Sequence, residues 1–493
     1  MTQPTVVIGA GIGGLSTAIR LQGAGHQVIV LEKNSIVGGK MYQLEQDGLR
    51  FDTGPSVITM RHVFEDLFAS VGRKLDDYLD LLRVEPMTRY FYPDGFVLDA
   101  SSDISKMAQQ IEQIDERDIE GYLAYLAYAA KIHRITGQTF IYDKPPSPTS
   151  FLKVAPWEML KSDPFRTMSG AINSFVKSDK LRQLLGRFAT YVGGSPYLAP
   201  ATLNVIAHVE LTGGVWYPRG GIYQIASALK KLATEIGVDI RTGQGVKQIL
   251  VSDAKVTGVL LENESVIDTK VVVSNIDVAM TYHKLLSSDD IPQKRIEKMS
   301  SYEPSCSGFV LLLGIEGKNE TLAHHNIFFS KDYRTEFEAI FKAGLPANDP
   351  TIYIAITSKT DNDHAPENCE NWFVLVNAPA LNDKVNWEQK KQDYRNLILE
   401  KLAQRGLDVH DKIRSETILT PVDLQEMSGA WRGALYGPSA NDRFAVFLRP
   451  HNRSKDVQGL YFAGGTTHPG GGVPMVMLSG KVASDMVLED NKR

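Results

Sequence analysis

Cysteine is scarce in this sequence: only Cys306 and Cys369 occur among 493 residues. The two stand far apart, in none of the short spacings that metal ligands use, so we expect neither a disulfide framework nor a zinc site, and no bound metal. So little cysteine also suits a reducing compartment, and we expect a cytoplasmic protein.

An excess of positive charge is also missing. The chain carries 53 Lys and Arg against 58 Asp and Glu, and its formal net charge is -5. A protein that binds the phosphate backbone of DNA or RNA needs a basic surface. The charge balance therefore argues against a nucleic-acid partner.

Long apolar runs are absent as well. No stretch approaches the roughly 18 to 20 apolar residues that a membrane-spanning helix needs. The amino terminus has no basic region ahead of an apolar stretch and leads at once into a glycine motif, which predicts a first strand rather than a signal peptide. We expect a protein that does not cross a membrane, although it is able to lie on one.

The first residues predict a strand, a helix and a second strand. Residues 5–9 are rich in β-branched side chains, residues 13–25 carry apolar side chains at helical spacing, and residues 27–32 form a second apolar run. A unit of this kind binds a dinucleotide when its first turn carries the motif G-x-G-x-x-G.

That turn matches the motif at Gly9, Gly11 and Gly14. The first glycine permits a tight turn, the second lets the backbone approach a pyrophosphate, and the third packs the helix against the strand. Glu32 ends the second strand at the place, about 20 residues further on, where a carboxylate binds a ribose hydroxyl. The alternative is a glycine-rich turn followed by a surface glutamate.

Two more turn sequences follow and distinguish FAD from NAD, which share the first motif. In residues 38–40, two glycines allow a second loop to approach the cofactor, and a lysine ammonium is able to meet a phosphate. Residues 51–56, FDTGPS, form a turn placed to face a flavin. Each alone is compatible with a solvated turn, but their order favours FAD. The contacts we expect are Gly39, Lys40, Gly54, Pro55 and Ser56.

The middle of the chain is less regular. Residues 104–135 predict helix with apolar and aromatic positions on more than one face, as in a core helix or a helix that faces an apolar cavity. Residues 136–169 are rich in proline and aromatic residues and predict loops and short helices. A helix over residues 225–236 and β-branched runs up to residue 274 indicate a return to the first domain.

Nearly the whole chain resembles the bacterial phytoene-desaturase type of carotenoid desaturase, within the flavin amine-oxidase-like superfamily. The resemblance is carried by VVIGAGIGGLSTAIRLQGAGHQVIVLEKNSIVGGK, RFDTGPS, GGVWYPRGG, VVSNIDV, LAHHNIFF and LRPHNRSKDVQGLYFAGGTTHPGGGVPMVMLSG. Within the family, GGTTHPGGGVPMVMLSG is most similar to the branch that acts on 1-hydroxy- or 1-methoxy-carotenoids at the 3,4 position.

The resemblance implies a second flavin-contacting segment near the carboxyl end. Residues 473–475 would lie near the isoalloxazine ring, and the backbone of Val246 would contact the adenine. A strand and glycine turn over residues 459–465 and a helix that opens at Pro474 agree with this expectation. The residues implied are Val246, Gly464, Gly465, Gly472, Val473, Pro474 and Met475.

The resemblance also implies a reaction, in which a long polyene loses two hydrogens and gains a double bond. A hydride passes from an allylic carbon to flavin N5, and a proton leaves the neighbouring carbon. The protein chiefly binds and aligns, because the cofactor carries the electron chemistry. The expected partners are a carotenoid, a membrane lipid surface, and oxygen or a quinone as electron acceptor. A phytoene- or lycopene-forming desaturase is the alternative within the family.

Four polar residues are further candidates. His468, beside the flavin-contacting turn, is a candidate to accept or relay the departing proton, and the alternative is a structurally satisfied loop histidine. His208 and Glu210 precede GGVWYPRGG and either line the substrate tunnel or serve the structure. Arg219, in the PRGG turn, is expected to form an interdomain salt bridge.

Two other classes share this fold. An amine or amino-acid oxidase would keep polar groups for an ammonium or a carboxylate, and amine oxidases have an acidic residue in the last motif, where this chain reads AGGTTHP over residues 463–469. Prenyl-binding escort proteins similar to the Rab dissociation inhibitors have lost flavin. Intact cofactor segments at both ends of the chain argue against the escort proteins.

Together these observations predict an α/β protein in three parts. At about one domain per 150 residues, the chain has room for two or three domains. A Rossmann-like FAD-binding domain is assembled from the discontinuous segments 1–95, 217–295 and 425–493. Residues 96–216 form a helical substrate and membrane-facing region, and residues 296–424 form an inserted α+β substrate-binding region.

We expect residues 136–169 to dock on a membrane surface. A carotenoid is insoluble, so a chain without a spanning helix must collect it from a bilayer. Aromatic side chains would enter the lipid boundary while lysines meet anionic headgroups. The alternative is a packed lid with solvated lysines. The residues concerned are Phe140, Phe151, Trp157, Phe165, Lys153 and Lys161.

Overall fold

The computed structural model describes residues 3–137, 141–146, 158, 161–442 and 449–492. The strands are β1 (Thr5–Ile8), β2 (Val28–Glu32), β3 (Gln43–Gln46), β4 (Leu49–Asp52), β5 (Leu81–Arg83), β6 (Thr88–Phe91), β7 (Val97–Ala100), β8 (Trp216–Pro218), β9 (Asp239–Thr242), β10 (Val246–Ser252), β11 (Lys255–Leu261), β12 (Val266–Asp268), β13 (Val272–Ser274), β14 (Ser307–Glu316), β15 (His325–Phe328), β16 (Ile352–Ile356), β17 (Cys369–Ala378), β18 (Ile413–Leu419) and β19 (Leu460–Phe462).

The helices alternate with these strands in some parts of the chain and follow one another in others. They are α1 (Ile12–Gly23), α2 (Arg61–Ala69), α3 (Ile104–Asp115), α4 (Asp118–Thr136), α5 (Met168–Ile172), α6 (Asp179–Gly186), α7 (Val205–Gly213), α8 (Tyr223–Glu235), α9 (Val278–Met280), α10 (Gln293–Ser300), α11 (Tyr333–Glu338), α12 (Trp387–Gln404), α13 (Pro421–Ser428) and α14 (Val473–Asp490).

A five-stranded parallel sheet in the order β19-β13-β1-β2-β9 forms the first layer of the fold. All four residues of β1 are buried, as expected for a parallel strand covered on both faces. Helix α1 packs against α8 and α14, and the three-stranded sheet β10-β11-β12 shares an apolar cluster with β1, β13 and β19. The predicted α/β class and the initial strand-helix-strand unit are confirmed.

A seven-stranded sheet in the order β18-β14-β17-β16-β15-β6-β7 forms the second layer. Its neighbours are antiparallel except β15 and β6, which run parallel. Because side chains alternate across a strand, Phe309 and Leu311 of β14 pack with Trp387 and Tyr394 of α12. Val310, between them in sequence, lines a cavity on the opposite face.

Helices α3 to α7 lie between β7 and β8 in the chain. The single helix predicted over residues 104–135 is divided into α3 and α4. Asp118 begins α4, is buried, and accepts the backbone N–H groups of Lys177 and Ser178 at 2.6 Å each. This contact with a distant part of the chain fixes the start of α4 and leaves no signal in local periodicity.

The strands of the parallel sheet all lie within the three segments predicted for the FAD-binding domain. β6 is different: it lies within residues 1–95 but pairs with β15 in the seven-stranded sheet. The domain boundaries themselves stay a prediction.

The predicted docking segment is only partly described. Phe140, Phe151, Lys153 and Trp157 lie outside the described residues. Phe165 is 65% exposed. Within the described ranges, no helix has the length and apolar character needed to span a bilayer.

Candidate active site

One cavity of about 410 Å³ joins the two sheets. Its wall combines the glycine segments next to the parallel sheet with apolar side chains of the seven-stranded sheet. The sheet residues include Val310, Ile327, Tyr353, Phe373 and Leu375.

Most of the predicted cofactor contacts lie in this wall. The structure brings together residues from near both ends of the chain, as the sequence predicts for a cofactor bound by both. Those that line the cavity are Gly11, Gly39, Lys40, Gly54, Pro55, Ser56, Gly464, Gly465, Gly472 and Val473. The other predicted contacts do not line it: Gly9, Gly14, Pro474 and Met475 lie within two residues of lining residues, whereas Glu32 and Val246 are further away in the chain.

The first glycine turn has the geometry that the motif requires. Gly9 has φ +95°, which favours glycine. A Cβ on Gly14 would lie 2.1 Å from the carbonyl oxygen of Gly9, so only glycine allows this approach of helix to strand. Gly11 immediately precedes α1 and lines the cavity. Where the helix begins, the backbone is thus not covered by a side chain.

Glu32 is fixed by the backbone around it. Its carboxylate accepts the N–H of Ala10 at 2.8 Å and the N–H of Asn34 at 2.9 Å. The N–H of Gln244 donates to the carbonyl of Glu32 at 2.8 Å, which brings the chain leading into Val246 next to the end of β2. The two residues expected at the adenosine end of the cofactor are therefore close together.

Asn275 joins the two glycine segments, and sequence reasoning missed it. Its side-chain Nδ2 donates to the carbonyl of Ala463 at 2.9 Å, and its backbone N–H donates to Ile8 at 2.8 Å. A Cβ on Gly11 would lie 2.6 Å from Asn275 Oδ1, and one on Gly464 would lie 2.9 Å from Nδ2. The only signal was its position in VVSNIDV, quoted above for resemblance alone.

Lys40 lines the cavity, but its ammonium contacts protein. Nζ donates to the carbonyl of Leu435 at 3.0 Å and to that of Ala434 at 3.4 Å. Burial lowers the pKa of Lys40, and the carboxylate of Asp277 opposes this shift. Burial in turn raises the pKa of Asp277. The contact with a phosphate stays a prediction.

The carboxyl-terminal helix begins at the cavity. Gly472, with φ +101°, precedes α14, and Val473 and Pro474 form its first turn, where proline lacks only an N–H that has no helical partner. The amino termini of α1 and α14 both border the cavity, and such termini favour anionic groups. Together with the bare glycine backbone, this arrangement fits a dinucleotide.

His468 has a structural contact outside the cavity wall. It is buried, and because a carbonyl only accepts, its Nε2 donates to the backbone oxygen of Asp143, at 3.0 Å. Burial lowers the pKa of His468 to about 4. These contacts match the alternative of a structurally satisfied histidine.

Glu210 belongs to a buried polar cluster. Arg187 and Tyr191 both donate to its carboxylate, and Arg187 Nε donates to the hydroxyl of Tyr90 at 2.5 Å. Although burial alone lowers the pKa of Arg187, Glu210 raises it well above the usual range. Arg187 and Tyr191 line the cavity while Glu210 does not. Glu210 therefore contributes to the cavity wall by holding these two side chains through its hydrogen bonds.

Of the other two polar candidates, His208 is half-buried and Arg219 is exposed. His208 Nδ1 is 2.9 Å from the hydroxyl of Thr212, one turn further along α7. Arg219 forms an exposed ion pair with Asp80 at 2.8 Å. We expected Arg219 to form an interdomain salt bridge. Asp80 and Arg219 both belong to segments predicted for the FAD-binding domain, so this pair does not join that domain to the middle region.

Comparison with known proteins places this fold and site in a family. Residues 12–488 match the family described as flavin containing amine oxidoreductase. A 4,4'-diapolycopene oxygenase of Methylomonas sp is 38% identical over 99% of this chain and 98% of its own length. A 1-hydroxycarotenoid 3,4-desaturase of Flavobacterium sp. (strain P99-3) is 36% identical over 99% of both chains.

Solved structures show the same fold at low sequence identity. An oxidoreductase from Methanosarcina mazei matches with a TM-score of 0.63 at 19% identity, over 99% of this chain and 100% of that one. A putrescine oxidase bound to putrescine matches with a TM-score of 0.62 at 13% identity, over 100% of both. The chain therefore belongs to the flavin containing amine oxidoreductase family, among its carotenoid desaturases and oxygenases, and is an FAD-dependent oxidoreductase.

Proposed function

We propose that this protein is a carotenoid desaturase whose reaction is 3,4-desaturation of a 1-hydroxycarotenoid in carotenoid biosynthesis. One observation carries the proposal: a single cavity has the cofactor-binding glycine segments and an apolar sheet face in the same wall. A polyene bound there would lie next to the flavin.

The apolar part of the wall suits a hydrocarbon. Val310, Ile327, Phe373 and Leu375 come from β14, β15 and β17, and Leu424 and Met427 of α13 add to them. Each Å² of apolar surface removed from water stabilises binding by about 25 cal/mol. A long polyene offers far more such surface than a small amine does, so the wall favours the carotenoid over an amine.

The chain's own residues would bind FAD along the cavity. The first glycine turn would bind the pyrophosphate, Glu32 the ribose, and residues 54–56 and 472–475 the flavin. When bound, the flavin supplies the two-electron oxidation by accepting a hydride. The residues proposed are Gly9, Gly11, Gly14, Glu32, Gly39, Lys40, Gly54, Pro55, Ser56, Val246, Gly464, Gly465, Gly472, Val473, Pro474 and Met475.

Oxygenation of a diapocarotenoid is the second candidate. It is favoured by the 38% identity to the Methylomonas oxygenase, beside 36% for the Flavobacterium desaturase. The two reactions differ in their products, because desaturation removes two hydrogens and oxygenation adds oxygen. A phytoene- or lycopene-forming desaturase differs from both in its substrate.

Pigment analysis after co-expression tests the substrate. Hosts that accumulate phytoene, lycopene, 1-hydroxy-γ-carotene or 4,4'-diapolycopene would each receive the gene. We expect a product that has lost two hydrogens, with absorption at longer wavelength, in the 1-hydroxy-γ-carotene host. An oxygen-containing product confined to the diapolycopene host would instead establish the oxygenase.

Anaerobic bleaching of the flavin absorption band separates a carotenoid oxidoreductase from an amine oxidase. The purified protein, mixed without oxygen with a carotenoid in liposomes or with putrescine, should bleach with the carotenoid only. Readmission of oxygen or of a quinone then shows which one restores the band. We propose that one of these two is the electron acceptor.

We also propose that the protein lies peripherally on the cytoplasmic face of a membrane. Phe165 and Leu198 are 65% and 48% exposed. Backbone hydrogen bonds of 2.8 Å from Met168 to Ala199 and from Ala201 to Arg166 hold their two segments side by side. Two large apolar side chains therefore project near each other, as lipid insertion requires.

A further inference from the structure

Two adjacent buried histidines lie behind the cavity wall, in the LAHHNIFF segment. The ring centroids of His324 and His325 are 4.3 Å apart. Burial lowers the pKa of His324 to about 3 and that of His325 well below its usual value, so both rings are neutral. Each Nε2 is buried without a hydrogen-bond partner among the described residues. Buried polar atoms of this kind usually have a hydrogen-bond partner in the protein or an ordered water.

Tyr353 connects this pair to the cavity. Its side chain lines the cavity, and its hydroxyl oxygen lies 2.8 Å from His325 Nδ1 and 2.8 Å from Ser56 Oγ. A tyrosine hydroxyl has one hydrogen that rotates between acceptors. When His325 carries its proton on Nε2, its Nδ1 is free to accept from Tyr353.

Thr360 connects the pair to the surface. His324 Nδ1 lies 2.5 Å from the Thr360 hydroxyl, and Thr360 is half-buried, at the edge of the fold. With Nδ1–H donating to Thr360, the Nε2 of His324 is an acceptor. His325 Nε2–H is then a donor and His324 Nε2 an acceptor, and the relay requires an ordered water between them, of the kind that binds otherwise unpaired buried polar groups.

We propose that Tyr353, His325, His324 and Thr360 form a proton relay that carries the proton lost by the polyene to the protein surface. The inference rests on the proposed desaturation. One C–H bond breaks and its electron pair leaves with the hydrogen to the flavin. The neighbouring C–H bond breaks, its electron pair becomes the new double bond, and its proton goes to the Tyr353 oxygen as the tyrosine hydrogen passes to His325.

Neutral histidines suit this task although they are weak bases. A C–H bond next to a carbocation is strongly acidic, so the acceptor needs correct position more than high basicity, and geometry comes before pKa in choosing a base. The charge of Arg187 adds to the effects of burial and His324 in lowering the pKa of His325. The proton therefore does not remain on His325 but passes on.

Two conservative variants test the relay in the FAD-loaded enzyme. Tyr353→Phe removes only the hydroxyl. His325→Asn places an amide oxygen near the Nδ1 position, which keeps a hydrogen bond to Tyr353 but cannot take up a proton. A matched control is Tyr394→Phe, which removes a buried hydroxyl bonded to the Ala347 carbonyl at 3.2 Å, outside the cavity.

The readouts are flavin content, carotenoid affinity by titration, and the steady-state rate of product formation with carotenoid that is either unlabelled or deuterated at the proton-losing carbon. Both relay variants should keep flavin and affinity while turnover falls on the order of 100-fold. The isotope effect at that carbon should rise, because proton loss becomes rate-limiting. Tyr394→Phe should change neither turnover nor the isotope effect.

The outcomes separate the relay from the proposed function. If the wild-type flavin bleaches with carotenoid but His325→Asn keeps the wild-type rate of product formation and the wild-type isotope effect, the relay is wrong and the function stands. If no carotenoid bleaches the wild-type flavin, the proposed desaturation is wrong and the relay falls with it.

Discussion

The side-chain amide of Asn275 donates to the backbone carbonyl of Ala463 at 2.9 Å. This bond joins the end of β13 to the glycine turn after β19, and the same amide lies against Gly11 of the first glycine turn. Residues from the beginning, the middle and the end of the chain thus meet at one side chain. The cofactor site therefore depends on the correct assembly of the whole parallel sheet.

Gly11 packs against Asn275 and is proposed to leave the backbone bare for the pyrophosphate, and a double variant separates these two roles. In Gly11→Ala the new Cβ would lie 2.6 Å from Asn275 Oδ1, so we expect lower stability and loss of flavin. Adding Asn275→Ala removes the clashing atom. Thermal unfolding should then show a positive coupling of about 0.5 to 3 kcal/mol, as for residues in contact. Flavin content should stay low, because the methyl group still covers the backbone that meets the pyrophosphate. Recovery of flavin in the double variant would show that Gly11 matters only for packing.

Glu32→Ala should lose FAD, and the contacts in the structure predict that it also lowers the free energy of unfolding. The carboxylate accepts from Ala10 and Asn34, so its removal leaves the buried N–H of Ala10 unpaired, at a cost of about 1 to 3 kcal/mol. Glu32→Gln keeps one acceptor oxygen and is the matched comparison. We expect flavin content and the unfolding temperature of the apoprotein to fall in the order wild type, Gln, Ala. Full flavin content in Glu32→Ala would rule out the ribose contact.

The sequence predicted what local patterns encode and missed what distant contacts decide. The strand, turn and helix over residues 5–23 follow from β-branched residues, glycines and helical spacing, all within one short stretch. The break between α3 and α4 depends on Asp118, whose partners are Lys177 and Ser178. The pairing of Arg187 with Glu210 likewise joins α7 to a turn after α6. Neither pair has a spacing that local rules recognise.

The candidate site divides in the same way. Gly11 and Gly54 were found because glycine in a motif marks close backbone approach. Tyr353 was not found, because a tyrosine in an apolar strand has the pattern of any core residue. The role of His468 was left open between two alternatives, and only its contact with Asp143 favours the structural one.

His468 should make the protein less stable in mild acid. Its pKa is about 4 in the folded protein, against about 6.5 in the unfolded chain. The unfolded chain therefore binds the extra proton first, so this stability is fully present above pH 6.5 and is lost as the pH falls toward 4. A shift of this size is worth about 3 kcal/mol.

His468→Gln tests this contribution and the catalytic alternative together. Glutamine keeps an N–H donor for Asp143 but does not titrate, so the fall in unfolding free energy between pH 6.5 and 4 should be smaller than in the wild type. Turnover should stay within a few-fold of the wild type. A loss of turnover on the order of 100-fold with an unchanged acid profile would instead favour general acid–base catalysis by His468.

Membrane docking should depend on Phe165 and Leu198. Both are exposed on adjacent segments, Phe165 by 65% and Leu198 by 48%, and each loses its apolar contact with lipid when changed to Ser. Removing two partly inserted side chains at about 1.5 kcal/mol each should weaken binding to anionic liposomes by about 100-fold. Val266→Ser, at a 52% exposed position on β12 in the three-stranded sheet, is the control for a general change in surface hydrophobicity. Flotation should show Phe165→Ser/Leu198→Ser in the unbound fraction and Val266→Ser with the liposomes.

The companion variant Phe151→Ser/Trp157→Ser tests the rest of the segment predicted from sequence. If both double variants float with the liposomes and turn over liposome-borne carotenoid at the wild-type rate, residues 136–169 and Leu198 are not the docking surface.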